Sequence, residues 1–139
     1  MPHDLQRFID AQKNVYQQAL LEISGGRKQS HWMWFIFPQM KGLGRSSNAQ
    51  YYGIGSLEEA SAYIAHPVLG TRLVEISKAL LQLPQHDARA VLGSPDDQKL
   101  RSSMTLFAQV PGADPVFGQV LQTYFGGRKD ERTIELLQA

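Results

Sequence analysis

The chain has 139 residues, no cysteine, and 14 Lys plus Arg residues against 13 Asp plus Glu. This length fits one domain, since a chain of about 150 residues buries roughly two-thirds of its unfolded surface. The absence of cysteine excludes disulfides, thiolate zinc sites and a cysteine nucleophile, and the net charge of +1 argues against a strongly basic DNA-coating protein. No apolar run reaches the roughly 20 residues of a membrane span. The first residues lack the basic and apolar pattern of a signal peptide, so we expect a cytoplasmic protein.

The beginning of the chain predicts one long helix. Apolar residues at helical spacing occupy residues 4–23, with a single polar interruption at Gln12. Asp4 can accept hydrogen bonds from the first turn, and the glycine pair at 25–26 can adopt the left-handed conformation that ends a helix.

Residues 32–37 have the sequence Trp-Met-Trp-Phe-Ile-Phe, a composition that is typical of strands. No other part of the chain offers a convincing pairing partner, and a lone strand leaves its backbone groups without hydrogen bonds. We therefore interpret this segment as a two-turn buried helix, with Ser30 as its N-cap and Pro38 as its stop.

Helix start and stop signals recur along the remaining chain. Ser56 and Glu59 form a capping box. Ser94 and Asp114 each precede a proline that can occupy a first helical turn. The predicted helices run over residues 57–65, 67–83, 87–92, 95–110, 115–125 and 130–137. Because strand signals are scarce, we predict an all-α fold, a single compact multi-helix domain over residues 1–139 with about six to eight short helices.

The charges divide the chain into a basic segment and an acidic remainder. No acidic residue lies between Glu22 and Glu58, so this window carries +4 and the rest of the chain −3. It also holds both tryptophans and four glycines at positions 42–55. Such a segment favours a local site for an anionic ligand, because cations and free backbone N–H groups both stabilise a bound anion. A solvated basic loop beside buried tryptophans is the alternative.

The sequence Gly-Gly-Arg-Lys occurs twice, at residues 25–28 and 126–129. Each copy follows a predicted helix end. Two similar helix stops explain the repetition, and we infer no internal duplication from it.

Several blocks resemble one family. Residues 31–39, His-Trp-Met-Trp-Phe-Ile-Phe-Pro-Gln, are followed by Gly-Leu-Gly at 42–44, and this combination resembles the signature of a bacterial family numbered 1810 among domains of unknown function. Further blocks of the same pattern lie at 52–54, 59–60, 66–73, 97–100 and 102–107. The resemblance implies a compact, mainly helical single domain and no established activity. The label calpastatin, sometimes attached to the family, does not fit, because such an inhibitor is a disordered repeat protein.

His31 is the candidate acid or base. The ordinary pKa of a histidine allows proton transfer near neutrality. On a helix, Trp34 and Phe35 would share its face, which would place the imidazole against an aromatic wall. The alternative is a histidine at a helix start whose ring bonds a nearby carbonyl.

Other polar, glycine and aromatic positions are candidates for ligand contacts. Of the two tryptophans, one is expected in the core and the other in a pocket, and the loop at 42–48 is either an anion nest or a flexible turn. Arg72 must pair with a carboxylate such as Asp97 or with a ligand. Ser102 and Thr105 share a helix face and could contact one ligand or bond back to the helix. The candidates are Trp32, Trp34, Gln39, Gly42, Gly44, Arg45, Ser46, Tyr52, Arg72, Lys99, Ser102 and Thr105.

Three functions remain open at this point. The first is an enzyme or binding protein for a small anionic, nucleotide-like ligand of the ADP-ribose or sugar-phosphate type. Residues 99–107 and the following helix are loosely similar to the C-terminal helices of N-glycosidases that act on ADP-ribose-linked substrates. The second is a helical protein-interaction module, and the third, disfavoured by the small net charge, is weak nucleic-acid binding. Because no metal-spaced cluster or cofactor motif is present, we expect no metal and no cofactor, and the sequence names no protein partner.

Overall fold

Ten helices make up the regular structure of the computed structural model, which describes residues 4–138. Their bounds are α1 Gln6–Gln12, α2 Tyr16–Ser24, α3 Met33–Ile36, α4 Ser47–Tyr51, α5 Leu57–Ala65, α6 Leu69–Leu81, α7 Ala88–Leu92, α8 Asp96–Ala108, α9 Val116–Phe125 and α10 Glu131–Gln138. The prediction of an all-helical fold is confirmed for this part of the chain. The predicted number of six to eight helices is too low, because one helix is divided and another was missed.

The divided helix is the first one. Residues 13–15 form a turn between α1 and α2, with the Val15 N–H bonded to the Gln12 carbonyl at 3.1 Å. The break lets two polar groups reach α6: the Gln12 side-chain oxygen lies 3.3 Å from the Arg72 guanidinium, and the Tyr16 hydroxyl lies 3.1 Å from the Arg72 carbonyl. The polar interruption at Gln12 thus marks a buried amide on the interior side of the fold.

The missed helix is α4. Its N-cap is Ser46, whose hydroxyl accepts a hydrogen bond from the Ala49 N–H at 3.1 Å. The sequence prediction treated this region as an anion nest or a flexible turn. A five-residue helix carries too little periodicity to be detected from its apolar spacing.

The helix α3 is shorter than predicted and has no side-chain cap. It forms a single turn over Met33–Ile36, and Trp32 occupies the N-cap position. Ser30 does not cap it, because the Ser30 hydroxyl donates to the Glu22 carboxylate at 2.6 Å. A buried carboxylate is the stronger acceptor, and it draws Ser30 away from the helix start.

Asp4 and Ser94 do not cap helices as predicted, because Leu5 and Pro95 occupy the N-caps of α1 and α8 without a side-chain bond. Side-chain oxygens do accept N–H groups at four other helix starts. Ser56 accepts from the Glu59 N–H at 3.1 Å, and Asp87 accepts from two N–H groups of α7. The Asp114 carboxylate accepts from the Val116 N–H at 2.9 Å, and that of Asp130 accepts from the Thr133 N–H at 3.2 Å. Local sequence therefore determines where these helices begin.

The helix α8 is the centre of the packing. It contacts α5, α7, α9 and α10, and its residues Leu100, Met104 and Phe107 are fully buried. The Phe107 ring lies 5.4 Å from that of Tyr63 in α5 and 5.8 Å from that of Phe117 in α9. Lys99 and Ser102 lie on the other flank of α8, in its N-terminal half. They line the cavity that is described below, so this core helix also contributes to the candidate site.

Residues 39–55 connect α3 to α5 and include one isolated parallel bridge, between Met40 and Ile54. The Lys41 N–H bonds the Ile54 carbonyl and the Ile54 N–H bonds the Gln39 carbonyl, both at 2.8 Å. This bridge holds the two ends of the segment together. Within residues 4–138, no helix is long and apolar enough to cross a membrane.

Candidate functional site

A cavity of about 230 Å³ lies between α3, the 39–53 segment and the N-terminal half of α8. It brings together residues that are more than 60 positions apart in sequence, such as Gln39 and Ser102. Six of the predicted ligand-contact residues line it: Trp34, Gln39, Gly44, Tyr52, Lys99 and Ser102. The lining residues that sequence reasoning missed include Met40, Leu43, Pro95, Gln98 and Asp130.

Lys99 is the cation of this cavity. Its ammonium nitrogen lies 3.6 Å from the centre of the Trp34 ring, a cation–π contact. The same nitrogen lies 3.4 Å from Oδ1 of Asp96, whose other oxygen is 2.9 Å from the Lys28 ammonium. One carboxylate is therefore shared by two ammonium groups. These three charges sum to +1, so Asp96 does not neutralise both lysines, and Asp130 adds one negative charge to the lining of the cavity.

Tyr52 supplies an aromatic wall. Its ring lies 5.4 Å from that of Phe35 and 6.0 Å from that of Phe8, which anchors it against the core. Burial raises the pKa of Tyr52, and the neighbouring Tyr51 raises it further. The phenol is therefore protonated at neutral pH and can donate a hydrogen bond.

The loop behind Tyr52 is held by Arg7 and closely packed at Gly53. The Arg7 guanidinium donates to the carbonyls of Tyr51 and Gly53 at 2.8 and 3.0 Å and pairs with Glu59 at 3.2 Å. A Cβ at position 53 would lie 2.8 Å from the Ala49 carbonyl oxygen, so only glycine fits there. This wall of the cavity is thus fixed by contacts outside it.

Asp130 forms the opposite wall. Its Oδ2 accepts from the Ser102 hydroxyl at 3.0 Å and from the N–H and hydroxyl of Thr133, while its own N–H donates to the Thr105 hydroxyl at 2.9 Å. Ser102 and Thr105 do share a face, as predicted, and together they position Asp130. From the sequence, residue 130 is only the start of the last predicted helix, because nothing local indicates the contact of Asp130 with α8.

Two further predicted residues lie apart from the cavity. His31 is exposed in the turn before α3 and does not line the cavity. The Arg72 guanidinium donates to the Gln12 side chain and lies 5.1 Å from the centre of the Tyr16 ring. Its partners are therefore an amide and an aromatic face, and the predicted pairing with a carboxylate such as Asp97 is not observed. A neutral buried amide can satisfy an arginine where the ring shields the rest of the guanidinium.

Trp32 is fully buried, and its indole N–H donates to Glu22 at 2.9 Å. Burial by itself would raise the pKa of Glu22. Hydrogen bonds from Ser30, the Gln29 N–H, Gln18 and Trp32 outweigh that effect and lower the pKa to about 2. This carboxylate therefore organises the basic segment from within and is not open to a ligand.

The predicted residues of the 42–48 loop have separate local roles. Gly42 has φ +105°, a conformation that favours glycine, and it lies against Leu136. The Arg45 carbonyl accepts from Gln50 at 3.0 Å, and Ser46 caps α4. Of this loop, Leu43 and Gly44 line the cavity.

No group of three His, Asp or Glu side chains arranged to hold a metal ion is found among the described residues. The cavity chemistry therefore consists of one ammonium, one carboxylate, side-chain amides, a hydroxyl and two aromatic rings. A concave site with apolar and aromatic walls and a few polar groups is typical of small-molecule sites.

The comparisons with known proteins agree with the fold. A family model described as "Protein of unknown function (DUF1810)" matches residues 2–137. The crystal structure of the conserved hypothetical protein Rv1873 from Mycobacterium tuberculosis is 48% identical, with a TM-score of 0.97 over 100% of this chain and 99% of that one. No curated protein matches. Since the model spans nearly the whole chain, this protein belongs to the DUF1810 family.

Proposed function

We propose that this protein binds a small, anionic, nucleotide-like molecule in the cavity between α3 and α8. The observation that carries the proposal is the Lys99 ammonium, held 3.6 Å over the Trp34 ring at a cavity that Tyr52 also lines. An anionic group of the ligand pairs with Lys99, and its ring contacts the aromatic and apolar wall.

The size of the cavity limits what it encloses. Pockets for drug-sized ligands measure about 300–1,000 Å³, and this one measures about 230 Å³. It accommodates one base or one sugar ring and leaves the remainder of a larger ligand outside. ADP-ribose would therefore extend beyond it.

Binding, without a reaction, is the function that we propose. His31 lies outside the cavity, and Oδ2 of Asp130 already accepts hydrogen bonds from Ser102 and Thr133. The alternative of a protein-interaction module has less support, because the exposed large apolar side chains of the described residues, Leu21, Tyr51 and Val68, come from three separate segments.

A thermal-shift screen followed by calorimetric titration tests the proposal. The panel contains adenosine, AMP, ADP-ribose and ribose 5-phosphate. A ligand present at 100 times its Kd stabilises the native state by about 2.7 kcal/mol, which raises Tm measurably. If the full-length protein unfolds cooperatively and no compound of the panel raises its Tm, the proposal is overturned.

The matched variants are Lys99→Gln and Lys78→Gln. Lys99→Gln removes the cavity cation, so we expect the Kd of the anionic ligand to rise about tenfold, equivalent to about 1.4 kcal/mol. Lys78 is exposed on α6, away from the cavity, and its replacement leaves Kd unchanged. Equal affinity in both variants would exclude Lys99 from the site.

A further inference from the structure

A second concavity, of about 470 Å³, lies on the other side of Asp130, around the turn between α9 and α10. It collects four cations and two carboxylates, a net charge of +2. The cations are Arg101, Arg128, Lys129 and Arg132. We call this concavity the basic groove.

The glycines at the end of α9 place two of these cations. Gly126 and Gly127 have φ of +63° and +79°, and the Gly127 N–H bonds the Leu121 carbonyl at 3.0 Å. This left-handed pair reverses the chain directly after α9. Arg128 and Lys129 therefore lie on an exposed turn, in line with Arg132 from the first turn of α10 and Arg101 from α8.

The cations of the basic groove have few internal partners. Arg101 lies 3.9 Å from Oδ1 of Asp130, and its buried Nε has no hydrogen-bond acceptor. Arg128 donates one hydrogen bond, to the Phe125 carbonyl at 3.3 Å. Lys129 and Arg132 form no ion pair with any residue of the 4–138 range.

The cations elsewhere in the fold are used differently. Arg7 pairs with Glu59, and both Lys28 and Lys99 pair with Asp96. A buried donor without an acceptor is unfavourable unless a ligand or water satisfies it. Guanidinium groups with few internal partners that line one concavity are suited to a phosphate group, which their fork geometry matches with two hydrogen bonds.

Asp130 connects the basic groove to the cavity, because it lines both. Its Oδ2 is directed to Ser102 and Thr133, whereas Oδ1 is the oxygen nearer Arg101. The cavity and the basic groove are therefore adjacent at this carboxylate. The cavity is too small for a whole nucleotide, so the remainder of such a ligand would lie outside it, and the groove adjoins it at Asp130.

We propose that the basic groove binds a second phosphate group of the ligand whose ring occupies the cavity and whose first anionic group pairs with Lys99. This inference rests on the proposed function and narrows its ligand class from anionic nucleotide-like molecules to those with at least two phosphate groups. Inorganic phosphate offers the same chemistry, and the experiment below separates the two sources.

The experiment compares AMP, ADP and inorganic phosphate by calorimetric titration of the full-length protein. For the wild-type protein, we expect ADP to bind at least tenfold more tightly than AMP, since only ADP has a second phosphate for the groove. In the double variant Arg128→Gln/Lys129→Gln, this preference disappears while the Kd of AMP is unchanged. Both replaced residues are exposed on a turn, which keeps the fold intact.

Arg101→Gln is the second variant, and Arg89→Gln, exposed on α7, is the matched control. Retention of the full ADP preference in both groove variants would overturn the inference while leaving the proposed function standing. If neither AMP nor ADP binds the wild-type protein, the proposed function fails. Phosphate binding that the double variant abolishes would then retain the groove as an anion site and overturn its link to the cavity.

Discussion

Residues 25–28 and 126–129 share the sequence Gly-Gly-Arg-Lys, and both follow the end of a helix. In the first copy, the Lys28 side chain is 8% exposed, lies 2.9 Å from Asp96 and packs over the Trp32 ring at 5.1 Å. In the second, Lys129 is exposed and pairs with no carboxylate within the described residues. The first lysine contributes to the fold, and the second is available to a ligand.

The difference comes from what surrounds each copy. Glu22 accepts the N–H groups of Gln29 and Ser30 at 2.7 and 2.9 Å, which fixes the chain just after the first copy. Asp130 follows the second copy, but its carboxylate is directed to α8 and α10. A basic segment therefore predicts an anion site only where the fold leaves its cations without acidic partners.

Replacing Glu22 is the largest perturbation of the first copy. Glu22→Gln removes the negative charge of a carboxylate that accepts five hydrogen bonds. The NH2 group of the glutamine would then face the N–H and O–H groups that donate those bonds. We expect a loss of about 3 kcal/mol in the free energy of unfolding, measured by urea denaturation. Glu135→Gln, exposed on α10, is the control and stays within about 0.5 kcal/mol of wild type. A Glu22 variant as stable as this control would contradict the structural role.

The same carboxylate predicts a pH dependence. Its pKa is about 2 in the folded protein, below the unfolded value of about 4.3. Its stabilising contribution is therefore complete above about pH 4.3 and is lost as the pH falls toward 2. The stability difference between wild type and Glu22→Gln narrows across this window, as urea melts at successive pH values will measure. A constant difference from pH 6 to pH 2 would contradict this assignment.

The matched lysines give the smallest effects and the most direct comparison. Lys28→Met removes a largely buried ion pair, so we expect a loss of about 2 kcal/mol. Lys129→Met removes an exposed charge and changes stability by less than about 0.5 kcal/mol. Thermal denaturation of the two variants measures both values. Equal losses would show that the two copies are energetically alike.

Much of the helical pattern was predictable because its causes are local. The capping serine at position 56 and the carboxylates of Asp87, Asp114 and Asp130 act on N–H groups within three residues. The break after Gln12 was not predictable, because its reason is a contact with Arg72, 60 positions away. The prediction of Ser30 as the N-cap of α3 was wrong because its hydroxyl donates to Glu22, which lies at the end of the preceding helix.

The candidate site shows the same division. The sequence identified several polar and aromatic residues as candidate ligand contacts, and four of them line one cavity: Trp34, Gln39, Tyr52 and Lys99. Asp130 was not recognisable as part of it, since its contact with Ser102 spans 28 positions. Sequence reasoning placed the candidate cations at Arg45, Arg72 and Lys99. It did not identify Arg128, Lys129 and Arg132, which line one concavity and form no ion pair within the described residues.

By itself, the sequence determined the all-helical class, most helix starts and the family, because these depend on local hydrogen bonding, apolar spacing and a specific block at 31–39. Only the tertiary structure decided which charges are available. Two identical tetrapeptides carry identical charges, but the electrostatic free energy of each depends on acceptors that lie far away in the chain and close in space.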